Sequence, residues 1–327
     1  MLNYLLSVAT LVVIYSIVSL ALNVRWGWAG LFDFFVYALV AIGAYVYGVV
    51  TLPAAPGNQY GDQYILGLHL PFIVGVVAAM AVTGLISLAV GAVALRQLRQ
   101  LYFGIMTFSA VLIIAVVIQA APWLFNGIIG LYGVEQPLSE LGLDPTTYAL
   151  LFLGICLVAL VLVYFVLECL FWSPFGLCLR SIRDDEVAAA EFGRNPYVER
   201  LKAYVIGGVI SGLAGALLIT YLTTWGPGAW SPIETILIFT AIILGGTGNN
   251  RGVIIGTVVV FGIIGEGSRY LPIIPAFPNA YAALRIMAIA ILTIVVLRWR
   301  PQGVLPEPHM RDASRRPRSI RWFAKQA

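Results

Sequence analysis

Few residues in this sequence can do chemistry, and they gather in three places. The first is "SIRDDEVAAAEFGRN", Ser181 to Asn195, where Arg183, Asp184, Asp185, Glu186, Glu191 and Arg194 crowd around an alanine run. Charges around small side chains suit a helix that docks on another protein: the alanines permit close approach and the charges set register. The second is "LGGTGNNRG", Leu244 to Gly252. A phosphate loop would end Gly-Lys-Ser/Thr, because the lysine reaches the phosphates and the hydroxyl holds magnesium. This stretch ends Asn250-Arg251-Gly252, and Arg251 also fills the third glycine position of a dinucleotide fingerprint. The sequence therefore argues against nucleotide binding and for a tight turn between two short helices. The third group is the ionisable residues set in apolar surroundings: Asp33, Glu234, Glu266, Arg269 and Arg285. Each costs about 2.5–3.5 kcal/mol at the centre of a membrane helix, so such residues are by default candidates for function. Asp33, Glu234 and Glu266 are the acids that would serve a substrate path, although Glu266 and Arg269, three apart, also suit a plain helical ion pair.

No catalytic set accompanies them. His69 and His309 fall on opposite sides of the membrane in the topology derived below, without a matching carboxylate or cysteine. Neither a serine triad nor a histidine metal site is supported. Cys156, Cys169 and Cys178 lack metal-ligand spacing and read as packing thiols. The expectation is a chain that is not an enzyme and holds no metal or cofactor of its own.

The elements that position these residues are membrane spans. The chain has 327 residues, is 61% hydrophobic and 10% charged, and has a mean hydropathy of +0.94. Soluble domains are nearer half apolar and a quarter charged, so this composition is that of an integral membrane protein. A span needs about 20 apolar residues. The qualifying runs are roughly 2–22, 32–52, 68–95, 101–121 and 148–171, then 203–223, 233–244, 253–267 and 282–297. The first has no basic leader and no cleavage site before Trp26, so it reads as a retained span. The seventh and eighth are short and glycine-rich, as half-helices or tilted pieces inside a bundle are. The fold class is an all-α polytopic membrane protein with about nine transmembrane helices, in the range 8–10.

With nine spans and the N-terminus outside, only Arg269 and Arg285 of the 19 Lys and Arg fall outside, leaving 17 within. That asymmetry places both the C-terminus and the charged cluster on the inner side. The inner count includes Arg25, which with Trp26 could also sit in a re-entrant turn. Residues 1–305 form the transmembrane domain. The tail, 306–327, carries Arg311, Arg315, Arg316, Arg318, Arg321 and Lys325 and reads as a flexible cytoplasmic segment. Its natural counterpart is anionic lipid and not nucleic acid, at about 1 kcal/mol per basic residue near the surface.

"GGVISGLAGALL" puts Gly208, Ser211, Gly212 and Gly215 at helical spacing, a face for close helix packing. The cluster itself lies in the longest inner loop, about 173–202. "SPFG" (173–176) ends the preceding helix. A stub can then start with Ser181, Asp184 or Asp185 as N-cap. Acids suit its positive end, alanines propagate it, and Gly193 suits a left-handed C-terminal cap. Pro196 stops it, leaving about nine residues and roughly 13 Å. A helix this short is marginal alone.

"LRSIRDDEVAAAEFGRN" resembles the cytoplasmic segment of the permease subunits of branched-chain amino acid ABC importers. That segment begins Glu-Ala-Ala with a glycine further on, and Glu186, Ala188, Ala189 and Gly193 fill those positions, with Val187 inserted. "AIGAYVYGVV", "LYFGIMTFS", "SGLAGALL", "ILGGTGNNRGVIIG" and "RPQGVL" follow the family's order, so the resemblance covers roughly residues 15–305. It implies an ABC importer permease fold with short or broken helices, in the plasma (bacterial inner) membrane. It also implies partners: a second homologous permease, two cytoplasmic ATPase subunits that use the ATP, and an external substrate-binding protein. Asp184, Asp185, Glu186, Ala188, Ala189 and Gly193 would then couple to the ATPase. Two stretches depart from the pattern. Gly30-Leu31-Phe32-Asp33-Phe34-Phe35 stands where the family has Ser-Leu-Gly-His, and "FNGIIGLYGV" lacks the family's Thr-Gly-Gly. The implied substrate is a small polar solute: a branched-chain or other amino acid, or alternatively urea or a short amide. An ion-coupled secondary transporter is the alternative from another class, and it would need embedded acids but no docking loop.

Overall fold

The computed structural model describes residues 2–54, 64–97, 100–138, 142, 144–229, 232–266, 280–300 and 302–308. Helix α1 (Leu2–Leu22) runs without a break into a π-helical segment (Asn23–Trp28). There follow α2 (Val36–Thr51), α3 (Phe72–Gln97), α4 (Gln100–Ala120), the one-turn α5 (Pro122–Phe125) and α6 (Pro145–Trp172). The inner loop holds α7 (Pro174–Asp184) and α8 (Glu186–Glu191) before α9 (Pro196–Leu222). Then come α10 (Pro232–Gly245), α11 (Asn250–Thr257), a second π segment (Val258–Glu266) and α12 (Ala280–Trp299). Strands β1 (Leu131–Tyr132) and β2 (Thr224–Trp225) make a two-residue antiparallel ladder. The protein is thus an all-α membrane protein. Among the described residues, five helices are long and apolar enough to cross a membrane, and four shorter apolar ones accompany them.

Helix α6 shows what the surrounding solvent must be. Phe152, Cys156, Leu160, Val163, Leu167 and Phe171 recur at helical spacing and are buried. The other faces expose Val158, Val161, Leu162, Phe165 and Val166, each more than half accessible. A helix apolar all round with one buried stripe belongs in hydrocarbon.

Helix α9 is the centre of the bundle and packs against both α2 and α3. Its small residues are the reason. A Cβ at Gly208 would lie 2.6 Å from Ser87 Cβ, and one at Gly212 would lie 2.7 Å from the Ala79 carbonyl of α3. A Cβ at Gly215 would meet the Val40 carbonyl and lie 2.8 Å from Ala44 N of α2. Lipid tails give helices no hydrophobic drive to associate, so backbones must come close enough for dispersion to hold them. The expected glycine face therefore lies within the chain, wedged between two neighbours.

Hydropathy and helix-end chemistry set different boundaries. The sixth span, expected from 203, begins at Pro196, because Asn195 Oδ1 accepts hydrogen bonds from Tyr197 N and Val198 N and Pro196 takes the first helical position. The second span, expected from 32, begins as a helix only at Val36. The inner loop was expected to contain one stub of about nine residues. It contains two helices, because Pro174 at the first helical position restarts the chain directly after α6 and Asp185 caps a separate six-residue α8.

Glycine contacts give a direct test. Gly215→Ala should destabilise by about 1–3 kcal/mol through overpacking. Gly154→Ala in α6, where a Cβ meets open space, should be neutral or stabilising by up to about 1 kcal/mol. Thermal unfolding of the detergent-solubilised protein ranks the two, and equal melting temperatures would contradict the interlock.

Candidate functional site

The coupling candidates fold as a capped helix held on its inward side. Asp185 Oδ1 accepts hydrogen bonds from Val187 N and Ala188 N, both at 3.0 Å. Gly193 closes the end at φ +79°, the left-handed region that glycine enters without cost. Ala189 is buried in a small cluster with Cys178 and Ile182 of α7. Opposite it, Val187 is 71% and Phe192 87% exposed, flanked by exposed Asp184, Glu186, Glu191 and Arg194. Ala188 is half-buried and Ala190 exposed, so the alanine run divides between the protein and its surroundings. Glu186 Oε2 accepts from Arg200 Nη1 at 2.7 Å, which ties α8 to the first turn of α9. The burial of Cys178 raises its thiol pKa, in keeping with a packing role.

Helix α7 is fixed in turn by a segment from the far end of the chain. Val304 N and Leu305 N donate to the carbonyls of Leu244 and Gly245, and Asn249 Nδ2 donates to Pro306 O at 2.9 Å. This strap carries Glu307 over Gly248, where its carboxylate takes a 2.8 Å hydrogen bond from Arg183 Nη2 and lies 3.8 Å from Arg180 Nη1. Burial works to lower the Arg183 pKa, and Glu307 together with Asp184 more than reverses it. Arg183 also donates to the Gly27 carbonyl in the first π segment. The packed chain thus runs at least through Glu307, beyond the boundary expected at 305. The glycine turn is the receiving surface: Gly246 and Gly248 have φ of +116° and +81°, and Asn249 caps α11.

Arg25 does not sit in an inner loop. It is fully buried, and it donates to Asp33 Oδ2 at 2.5 Å, to Ser87 Oγ at 3.1 Å and to the Tyr204 carbonyl at 2.8 Å. Its guanidinium lies 4.0 Å over the Tyr204 ring. Asp33 Oδ1 also accepts from Phe35 N, so the acid caps the irregular stretch before α2. Thr107 Oγ1 accepts from Phe34 N, and Thr235 Oγ1 donates to Phe34 O. These bonds satisfy the polar backbone of Phe34 and Phe35, while Arg25 Nε and Trp28 Nε1 stay buried without a hydrogen-bond partner.

The remaining substrate-path candidates separate. Glu234 lines a cavity of about 240 Å³ among α1, α2, α9, α10, the second π segment and α12, with Tyr15, Tyr37 and Trp225. Glu266 ends the described π segment and its side chain lies outside the described residues, as does Arg269. Two acids that sequence reasoning passed over also take part. Glu168, inside the apolar run of α6, accepts from Trp172 Nε1 at 3.2 Å and from Asn250 Nδ2 at 3.3 Å. Its presence within a span was a readable signal. Glu307 was hidden in a tail judged by its arginines. Among the described residues, no group of three or more His, Cys, Asp or Glu could hold a metal.

Comparison with known proteins agrees with this arrangement. The family "Branched-chain amino acid transport system / permease component" matches residues 4–297. The probable branched-chain amino acid transport permease protein LivM of Methanocaldococcus jannaschii is 27% identical over 90% of this chain and 91% of its own length. The high-affinity branched-chain amino acid transport system permease protein LivM of Escherichia coli K12 is 27% identical over 91% of this chain and 69% of its own. The ribose import permease protein RbsC of Bacillus subtilis is 31% identical over 53% of this chain and 55% of its own. No solved structure matches.

Two predictions follow from the charges. Asp33→Ala strands a buried guanidinium and should cost about 3–5 kcal/mol, while the double change Arg25→Met with Asp33→Leu should recover most of it. Chemical denaturation in detergent compares them. Glu307→Lys places a third cation beside Arg180 and Arg183 and should free the strap. Hydrogen exchange at the Val304 and Leu305 amides should rise, and unchanged protection would show that Glu307 does not hold them.

Proposed function

The chain belongs to the family of permease components of branched-chain amino acid transport systems, and from that membership we propose that it is one membrane-spanning subunit of an ATP-driven importer. It is a multi-pass protein of the plasma (bacterial inner) membrane. In this reading a second homologous permease completes the pore, two cytoplasmic ABC ATPases supply the energy, and an external binding protein delivers substrate. The chain has no ATPase site and no cofactor of its own, so ATP is spent by its partners. The solute is a branched-chain or other amino acid, a reading supported by the likeness to two branched-chain amino acid transport permeases. Urea and short amides are the alternatives within the same family.

The observation that carries the proposal is the outer face of α8. A six-residue helix cannot hold itself in water. This one is fixed from behind by α7 and Arg200, yet presents Phe192 and Val187 outward within a ring of acids. An apolar pair with a charged rim is how an interface centre is built. ATP-driven closure of the ATPase pair would displace α7 and α8, and α9 and the Arg183–Gly27 contact would carry the displacement to the spans.

The topology proposed with this function has nine spans, the N-terminus outside and the C-terminus inside. With Arg25 set aside as buried, 18 of the 19 Lys and Arg remain to be placed. All but Arg269 and Arg285 still fall inside, which supports the orientation. The docking face is then cytoplasmic, where an ATPase can reach it.

Val187→Cys should crosslink to an ATPase subunit in the assembled importer; an ion-coupled secondary transporter would have no such partner. Gly193→Pro, which cannot adopt the left-handed cap, should leave the subunit inserted but abolish ATP-driven uptake. Wild-type uptake by a well-expressed Gly193→Pro protein would refute the coupling role.

A further inference from the structure

Helix α7 and the turn between α10 and α11 are distant in sequence, and the Glu307 carboxylate joins them. On the side of the turn the attachment is backbone. Besides the bonds of Val304, Leu305 and Asn249, the strap is seated glycine on glycine: a Cβ at Gly303 would lie 2.5 Å from Gly246 Cα. The carboxylate rests over Gly248, where a Cβ would lie 2.9 Å from Glu307 Cδ, so a bare turn is required there. From the opposite side Asn23 Oδ1 accepts from Gly248 N at 3.0 Å and fixes the turn against the first π segment. On the side of α7 the attachment is electrostatic. Arg183 Nη2 donates to Oε2, with the two side chains 25% and 21% exposed, so water and salt weaken the pair less than a surface one. Oε1 is buried without a hydrogen-bond partner, and Arg180 Nη1 stands 3.8 Å from it, about 1 Å too far to donate. One guanidinium is engaged and a second stands by.

We propose that Glu307 is a positioning residue of the transport cycle, which makes α10 and α11 follow the docking helices. The inference rests on the reading of α7 and α8 as the ATPase-docking face and adds a second line of transmission to it. The first line, through α9 and the Arg183–Gly27 contact, serves α9, its neighbours α2 and α3, and the first π segment. Glu307 serves the turn that α10 and α11 share. An ionic joint suits this place. Charge attraction persists over a range of angles, whereas packed side chains lock in one arrangement. With Arg180 beside the vacant Oε1, α7 can shift against the strap by about an ångström and keep its charge pairing.

The test uses the complete importer in proteoliposomes, with leucine uptake counted against the ATP hydrolysed in the same vesicles. Another amino acid replaces leucine where leucine is not carried. Glu307→Gln keeps the shape and an acceptor for Arg183 but removes the charge. Solute carried per ATP should fall roughly tenfold, the loss expected from one charge-assisted hydrogen bond. Poor assembly would lower uptake and hydrolysis together and leave that ratio unchanged. In an Arg183→Gln background, Glu307→Gln should change the ratio by less than about twofold, because residues acting through one pair are not additive. A wild-type ratio in Glu307→Gln, or losses that multiply in the double variant, overturns the proposal. A chain that keeps Glu307 gives an independent measurement, with spin labels at Ser181→Cys on α7 and Gln302→Cys on the strap and the exposed Cys169 changed to Ser. Their separation should be the same without nucleotide and with ATP and orthovanadate. A separation that changes would show α7 moving without the strap, which also overturns the proposal and decides the matter should Glu307→Gln fail to assemble. Absence of ATP-driven uptake of any amino acid, urea or short amide by the unmodified importer would refute the permease reading instead, a failure seen before any variant is made.

Discussion

A guanidinium with no access to water governs how α2, α3 and α9 meet. A buried arginine is tolerable only with its charge balanced and most of its donors occupied, and here Nε is left without a hydrogen-bond partner. Asp33 balances it, and Ser87 and the Tyr204 carbonyl take further N–H groups. The pair also dictates its neighbours' sizes. A Cβ at Gly207 would lie 2.8 Å from Arg25 Cγ, so α9 must be bare where the arginine crosses it. Asp33 in turn holds the irregular stretch that lets the chain turn back and start α2 at Val36. Remove the ion pair, and the break in the second span keeps only the bonds of Thr107 and Thr235 to Phe34.

The same arginine stands at the meeting point of two routes from the inner surface. One runs from α8 through Glu186 and Arg200 into α9, four residues before Tyr204. The other runs from α7 through Arg183 to Gly27, two residues past Arg25. The first passes from an ion pair into continuous helix, and the second is a part-buried hydrogen bond to backbone. Contacts from α7 and α8 therefore lead to Arg25 through α9 and through the first π segment.

Much of this was legible in the sequence, and the rest failed for identifiable reasons. Apolar runs gave the spans because hydrocarbon permits no other composition. Gly193 and Pro196 announced the end of the stub because capping is local chemistry, whereas the start of α9 at Asn195 and Pro196 was missed because hydropathy alone set that span. The glycines of α9 declared a close-packed face, though not which helices would fill it. Arg25 was misread because a charge beside a span boundary resembles a loop residue, and its other partners, Ser87 and Tyr204, stand 62 and 179 positions away. Glu307 was passed over because composition averages over a tail, and two acids among six basic residues are lost in the average. The division between α7 and α8 turned on which of three cap residues would win, and Asp185 won because its carboxylate reaches two amide groups at once.

The packing divides the spans into two interlocked groups, and the cavity lies along their seam. In the first, α9 is wedged between α2 and α3 by backbone contact that no side chain cushions. In the second, α10 and α11 are locked likewise: a Cβ at Gly252 would lie 3.0 Å from the Gly245 carbonyl carbon, and one at Gly256 would lie 2.8 Å from Gly245 N. Surfaces in such contact do not slide, because any shear drives backbone into backbone. Motion is left to the boundary between the groups, where side chains and empty volume intervene. Helices α7 and α8 hold both sides of that boundary, through Arg200 on α9 and through the strap that joins Arg183 to the turn before α11. Helices α7 and α8 are therefore bonded to both groups at once, and the cavity lies between them.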